Sequence, residues 1–572
     1  MPLAPDFARE SGLTPRSFLF YCLIALILAA AVWARFQGLA WHFTHNDDIG
    51  VAKTILDRKL STGNAWAAVP EIWTYAPFQF LLTNLLLSNQ DTYRGLLYWG
   101  RVPSAIAGIA GVVLSFRFYR RFEGKQSWTA LSAAALIACS WENIIHAKQM
   151  HNYALGVPAA FGVLLLLLAG FKVTQRGIFR SALIGAALAA LVSMHYEILF
   201  FVPAFFLTLF LHGIVERRGS IAFQLGRVAA GAGAFLLCLY PLWLFFISTH
   251  LDKRKDGWSW GPAQEFVLRF NEDAGLGEKI FGTFTFYLRN FFGVLQANLA
   301  FVPDGHFLYL PAVYYALSIF FVLGIISFMD TASREKRILG WFFALTIATW
   351  FVLVAFEKLA LAPTRHNLIL LPLMAIITAE GAGYFFVRLF AKAGAARAVH
   401  GTFAAFALTS FILTYPQFLA ERRDPFEEEL IMQKIREYEV DAVIPPAAVQ
   451  HITAMKSVRE HFGYYMPGLM ESEIIAADNP PYKTIAWISH RLKLTPDNFE
   501  IIRRGVNDYL QNRNFFQTRM GKKPVPFLDY RFADFEIIYS EEKDSSVEID
   551  FSNRTRNGTN SYYFYILKRK GA

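Results

Sequence analysis

Charge is what this chain has least of. Asp, Glu, Lys and Arg make up 17% of its 572 residues, where a soluble domain averages about 25%. Hydrophobic residues reach 55% and aromatics 16%. That balance excludes a soluble fold for most of the length and points to a polytopic membrane protein. Cysteine is scarce as well. Cys22, Cys139 and Cys238 all lie inside apolar runs, which leaves no disulfide framework and no cysteine metal site. No repeat of 20–50 residues and no low-complexity segment is present, so solenoid and disordered classes are excluded. The net charge of +10 would suggest nucleic acid in a soluble protein. Here the excess falls in short loops between apolar runs, where it reports topology, and no nucleic-acid partner is expected.

Apolar stretches of spanning length occur near 17–35, 101–119, 127–145, 153–171, 178–195, 198–215, 226–247, 307–328, 338–356, 366–390 and 401–420. Each is near the ~20 residues a helix needs to cross a bilayer. The first is longer than a signal-peptide core and lacks a small-residue cleavage pattern, so it reads as a retained helix. Residues 76–88 (APFQFLLTNLLLS) are too few to span and fit an interfacial or re-entrant helix. With eleven spans the basic short loops all fall on one side. They carry Arg9 and Arg16; Arg117, Arg120, Arg121 and Lys125; Lys172, Arg176 and Arg180; Arg217, Arg218 and Arg227; Arg334, Lys336 and Arg337; and Arg388, Lys392 and Arg397. That side is expected to be cytoplasmic, with the N-terminus inside and the C-terminus outside. The expected location is the cytoplasmic (inner) membrane.

The predicted organisation is a membrane domain over 1–420 and a soluble α/β domain over 421–572 on the outer side. The first outer loop covers 36–100, and a long outer loop covers 248–306. Beyond Glu421 charge rises. Helical patterns appear at PFEEELIMQKIREYE and VQHITAMKSVREHFGYYM, and strand patterns at VDAVIPP, YKTIAWIS, FEIIYS and YYFYILKRK.

The most telling residues are Asp47 and Asp48, in WHFTHNDDIG just past the first span. Acids there can cap a following helix. They can also do chemistry on a membrane-delivered substrate, one carboxylate acting as general base toward an acceptor hydroxyl. The amphipathic DIGVAKTILDRKL after them suits a helix lying in the interface at headgroup depth. His42 and His45 beside the acids invite a metal reading, but no helical register joins the four residues and no distant ligand is evident, so no metal is expected.

The outer side also gathers cations near span ends: Lys53, Arg101, His146, Lys148, His151, Arg365 and His366. Singly, each can be an interfacial anchor. Together they can bind a phosphate or pyrophosphate on a lipid carrier. His195 with Glu197, and Glu357 with Lys358, read as local helix-end contacts. Trp258 and Trp260 belong to the interfacial aromatic belt.

Four stretches in order then resemble the C-type glycosyltransferases, in the bacterial branch related to protein O-mannosyltransferases and lipid A aminoarabinose transferases. They are the acidic pair HNDD, the Arg-x-Pro-Ser opening RVPSAIAG, the loop HAKQMHNYAL, and RHNLILLP at a late span entrance. The resemblance covers about 1–420. It implies transfer of a sugar from a polyprenyl-phosphate donor to a glycan, lipid or protein acceptor outside the cytoplasmic membrane. By that similarity Asp47 matches the first acid of the family's pair, the catalytic base. Asp48 stands where Glu is commoner. His151 falls where relatives often have Arg, and His366 follows Arg365 where Tyr is common. The implied donor-phosphate group is Arg365, Lys53, Arg101, Lys148, His151 and His366, acting in a single inverting displacement without cofactor or metal. Partners would be the lipid-linked donor, the acceptor and membrane lipid. A transporter or flippase of lipid-linked sugars is the alternative, although the charges avoid mid-span positions and no inverted repeat is visible.

Overall fold

The structure is a computed structural model. It describes residues 14–39, 77–87, 93–171, 177–215, 220–248, 276–302, 310–356, 361, 365–390 and 393–421 of the membrane region. In the C-terminal part it describes 433–434, 437–440, 442–444, 483–489, 493–501, 504, 531–549 and 555–571.

The helices run α1 Pro15–Phe36, α2 Pro77–Leu87, α3 Tyr93–Glu123, α4 Trp128–Cys139, α5 Trp141–Ala147, α6 Tyr153–Phe171, α7 Ile178–Met194 and α8 Val202–Val215. They continue as α9 Ile221–Leu242, α10 Leu276–Leu299, α11 Pro311–Met329, α12 Arg334–Ala355, α13 Leu371–Phe390 and α14 Ala393–Glu421. Short 3-10 turns, Tyr196–Phe201 and Arg365–Leu370, lead into α8 and α13. Among the described residues nine helices are long and apolar enough to cross a membrane, ten with the bent α4–α5 pair, and α7 is a shorter apolar helix. These eleven are the segments the apolar runs predict, and α2 is the short helix expected between the first two.

Local chemistry sets several boundaries. Thr14 caps α1 by accepting from Ser17 N, with Pro15 in the first turn, where its missing N–H costs nothing. Ser220 and Ser333 cap α9 and α12 in the same way. Two close crossings depend on glycine. A Cβ on Gly381 would lie 1.7 Å from Phe320 O, and one on Gly324 would lie 1.8 Å from Ile377 O, so α11 and α13 touch backbone to backbone. In lipid there is little hydrophobic drive between helices, and such small-residue contacts supply the packing.

Two features differ from the expectation. The predicted span 127–145 is broken at Ser140 and bent by 54°. The Ser140 side chain accepts from Asn143 N and starts α5 anew. The carbonyls freed at the end of α4 need donors, since the bilayer core supplies none. Arg35 of α1 donates to Ala138 O and Ile137 O, each at 3.1 Å, and Asn143 Nδ2 donates to Ile137 O at 3.0 Å. Gly108 of α3 makes room for this, because a Cβ there would stand 2.5 Å from Arg35 Nε.

The second difference lies in 248–306, expected as a long loop, where the structure has the 24-residue helix α10. Glu278, Lys279 and Arg289 interrupt its apolar residues, and it exposes Ile280, Phe281 and Phe284 along one side. An amphipathic helix of that kind has no long apolar run to mark it.

The C-terminal part contains a four-stranded sheet of order β1-β2-β4-β3, from β1 Ala442–Ile444, β2 Thr484–Ser489, β3 Phe535–Ile549 and β4 Thr555–Arg569. β1 pairs parallel with β2, and the other pairings are antiparallel. Ile485, Trp487, Phe564 and Ile566 are buried on it. All four predicted strand patterns are strands. The helical patterns at 425–439 and 449–466 fall largely outside the described residues.

Candidate active site opposite the basic loops

The end of the bundle away from the basic loops collects buried polar side chains. Asp47, Asp48, Lys53, His42 and His45 lie outside the described residues, as do Glu357 and Lys358. Arg365 is described by its backbone, at the first position of the 3-10 turn Arg365–Leu370. Arg101, Lys148, His151 and His366 can be placed in full.

Arg101 does not open its helix, as the sequence suggests. α3 begins at Tyr93, so Arg101 sits two turns inside it. Its side chain is fully buried and donates from Nη1 to Leu39 O at 2.7 Å, which rules out a snorkelling anchor. Lys148 follows α5 directly and is also buried. Its ammonium donates to Gln37 O at 2.7 Å and to Tyr415 OH at 2.8 Å. Tyr415 OH in turn donates to Ala34 O at 2.6 Å. Thus Lys148 ties the α5–α6 turn to the end of α1 and to α14 through neutral oxygens. Burial, then the nearby positive charges of Arg101 and Arg35, pull its ammonium down to about 7. In the sequence Arg35 stands at the end of the first apolar run. It proves to be a fully buried cation whose hydrogen bonds go to the carbonyls of Ala31, Ile137 and Ala138.

A second group forms around Tyr153, the first residue of α6. His151 stacks on its ring at 3.9 Å and 4°. His146, His366 and His195 approach the same ring at 5.5, 5.4 and 6.0 Å. His146 Nε2 stands 3.4 Å from Glu142, and its Nδ1 stands 2.9 Å from Gln149 Oε1. His366 Nδ1 lies 3.0 Å from Glu197 Oε1. His195 Nδ1 accepts from Glu197 N at 3.3 Å, which caps the 3-10 turn before α8. That lone pair is therefore engaged, and the 3.8 Å approach of the same nitrogen to Glu197 Oε2 is no ion pair. Burial holds the His195 imidazole below its ordinary range, against the pull of Glu197.

The local reading of His195 with Glu197 is therefore half right. The cap is local, but the Glu197 carboxylate reaches across the fold to His366. The backbone near His366 is clamped from two sides. Trp350 Nε1 donates to Asn367 Oδ1 at 2.7 Å, and Asn298 of α10 donates to Asn367 O at 3.0 Å.

The short helix α2 is linked to the group through α3. Its buried Gln79 bonds Thr83 Oγ1 and Ser104 Oγ, and Ser104 donates to His151 O at 3.0 Å. Phe78, Leu81 and Leu85 point outward. Among the described residues no cluster of three or more His, Cys, Asp or Glu side chains has metal-binding geometry.

The fold and site define a polytopic helical membrane protein with a buried, cation-bearing polar cluster at one end. No family model and no curated protein matches the chain. Among solved structures it is similar to ArnT from Cupriavidus metallidurans. The form bound to undecaprenyl phosphate has 12% identity and a TM-score of 0.47, over 84% of this chain and 94% of that one. The apo form has 12% identity and a TM-score of 0.46 over the same shares.

Proposed function

We propose that this chain is an integral-membrane glycosyltransferase that moves a sugar from a polyprenyl-phosphate donor to an acceptor hydroxyl at the outer face of the cytoplasmic membrane. One observation carries the reading. Arg35 and Lys148 are buried cations whose hydrogen bonds run to carbonyl and hydroxyl oxygens. Among the described residues neither cation has a carboxylate partner; buried charge of that kind is costly, and an anion delivered within the membrane relieves it. A lipid phosphate has that charge and that address. Arg101 lies in the same neighbourhood, and Lys53, Arg365 and His151 complete the donor side in this reading.

The reaction is a single displacement. Asp47 takes the acceptor proton, with Asp48 beside it to hold the acceptor or the base. The acceptor oxygen forms a bond to the anomeric carbon. The bond from that carbon to the phosphate oxygen breaks, its electron pair leaves with the lipid phosphate, and the configuration inverts. A phosphate leaves readily, so charge stabilisation by the cations suffices without a general acid.

The test is Asp47→Asn in reconstituted membranes with a radiolabelled polyprenyl-phosphate sugar. Transfer should fall by at least the ~10²–10⁴-fold that a general base supplies, with the protein still inserted. Full activity in that variant removes Asp47 as the base. Movement of the donor across the bilayer without covalent product would favour a transporter instead.

A further inference from the structure

At the end with the basic loops, α3, α4, α13 and α14 line a cavity of about 500 Å³, within the ~300–1,000 Å³ usual for ligand sites. It stands where α3 ends at Glu123, α4 begins at Trp128 and α14 begins at Ala393. Ends of spanning helices lie at the headgroup level of a bilayer. Glycine helps to open the space. A Cβ on Gly383 would stand 2.8 Å from His400 Nε2, so α13 approaches that ring without a side chain between them. His400 is buried, with Ser132 Oγ 2.9 Å from its Nδ1.

Charges of both signs line it, Glu123 and Glu380 with Arg388 and Arg397. Their partners differ. Arg388 is matched by Asp330, to which Tyr384 OH also donates at 2.9 Å. Lys336 of α12 donates to Glu380 Oε1 at 2.8 Å. Glu123 lies close enough to act on both Lys336 and Glu380, so two carboxylates share one ammonium. Ser127 Oγ donates to Glu123 Oε2 at 2.7 Å, and no cation is bonded to that carboxylate among the described residues. Arg397 is exposed and has no carboxylate partner among them. A spare negative charge and a spare positive charge therefore face one cavity without pairing with each other. Val387 lines the cavity too, and together with Leu389 and Phe390 it exposes apolar surface beside it.

We propose that this cavity binds the headgroup of an aminophospholipid, a primary ammonium joined by two carbons to a phosphodiester. The ammonium meets Glu123 and Glu380, and the phosphate meets Arg397. The acyl chains leave past Val387 into the bilayer. An anionic headgroup without an amine brings only like charge to the two carboxylates. A trimethylated ammonium has no N–H to donate to them. The site is separate from the polar cluster at the opposite end, and its occupation does not depend on sugar transfer.

Native mass spectrometry of the full chain, delipidated in detergent micelles, counts bound lipid directly. It is titrated with phosphatidylethanolamine, with phosphatidylglycerol and with water-soluble glycerophosphoethanolamine. Binding at the cavity is the part that Ala396→Trp, which fills it, removes. There phosphatidylethanolamine should bind at least tenfold tighter than either other probe. Glu123→Gln keeps the oxygen to which Ser127 donates and should leave the fold intact. It should weaken phosphatidylethanolamine about tenfold, the worth of one hydrogen bond between charged groups, and leave phosphatidylglycerol unchanged. Arg397→Gln, at an exposed position, should weaken both lipids threefold or more. Arg121→Gln, at the same end but outside the cavity, should change neither. Equal or tighter binding of phosphatidylglycerol overturns the proposal, as does full affinity for phosphatidylethanolamine in Glu123→Gln or in Ala396→Trp. Glycerophosphoethanolamine binding as tightly as the lipid would give the cavity to a soluble aminoalkyl phosphate and overturn the lipid assignment.

Discussion

The two ends of the helical bundle treat their charges in opposite ways. At the end with the basic loops, several cations meet acids, although the buried Arg227 donates to Gln224 Oε1 and Gly170 O. Arg121 grips Glu335 with contacts of 2.6, 2.8 and 3.0 Å, Lys336 Nζ meets Glu380 Oε1 at 2.8 Å, and Arg388 pairs with Asp330. At the other end, Arg35 and Lys148 are buried among carbonyls and a tyrosine hydroxyl, while the acids Glu142 and Glu197 face histidines. Compensated charge at the first end fastens loops and records topology. Among the described residues Arg35 and Lys148 have neutral hydrogen-bond partners, a cost that a bound anion offsets in the proposed reading. In the proposed reading the compensated cations fasten the loops, while Arg35 and Lys148 meet the donor phosphate.

The comparison can be broken most severely at Arg35. Arg35→Met should strip the donors from Ile137 O and Ala138 O at the Ser140 break, costing about 3 kcal/mol. Thermal unfolding in nanodiscs should show the loss, and transfer should vanish with it. Next in size is Lys148→Met, expected to weaken polyprenyl-phosphate binding by roughly 10–100-fold, the worth of a hydrogen bond to a charged group. A fold-preserving change of less than threefold would remove Lys148 from the donor side.

pH sharpens the same point more gently. The donor is a phosphodiester with one charge and does not titrate near neutrality, so pH dependence there belongs to the protein. Lys148 sits near 7 when buried, below its ordinary 10.5. The ammonium form binds an anion, so affinity for the donor should be greatest below pH 7 and fall by up to ~10-fold per unit above it. Bound phosphate favours the charged form and delays the fall. For stability the sign is reversed. The fold disfavours the charged lysine, so its contribution improves as pH rises from about 7 toward 10.5. Both trends should flatten in Lys148→Met. The smallest effect is expected at the other end. Arg121→Gln breaks a pair whose side chains are 21% and 37% exposed, and pairs of that kind are worth about 0–1 kcal/mol. Transfer activity should be unchanged, and a large loss would erase the contrast between the ends.

Much of the frame was readable from the chain, for a simple reason. A bilayer demands long apolar runs and keeps Lys and Arg on one side, so spans and loop charge can be counted without knowing the packing. The strands of the C-terminal sheet were legible as short runs rich in β-branched and aromatic residues. Where reading failed, the cause lay in contacts between distant segments. The break at Ser140 is invisible in an apolar run because Arg35, about 100 residues away, satisfies the freed carbonyls. α10 was hidden by its interspersed charges. Arg101 marks the start of an apolar run but lies inside its helix, because hydropathy shows where apolar sequence begins and not where the helix does.

The sequence alone determined a polytopic helical membrane protein, the basic faces of its short loops, and the residue types available at the opposite end. Tertiary structure alone decided which of those residues share a neighbourhood and with what charge. It seated Lys148 on Tyr415 across 267 positions and gave His366 a carboxylate from 169 positions away. Local pattern fixes helices because their hydrogen bonds are local. The electrostatic role of a side chain depends on burial and on partners that only folding brings together.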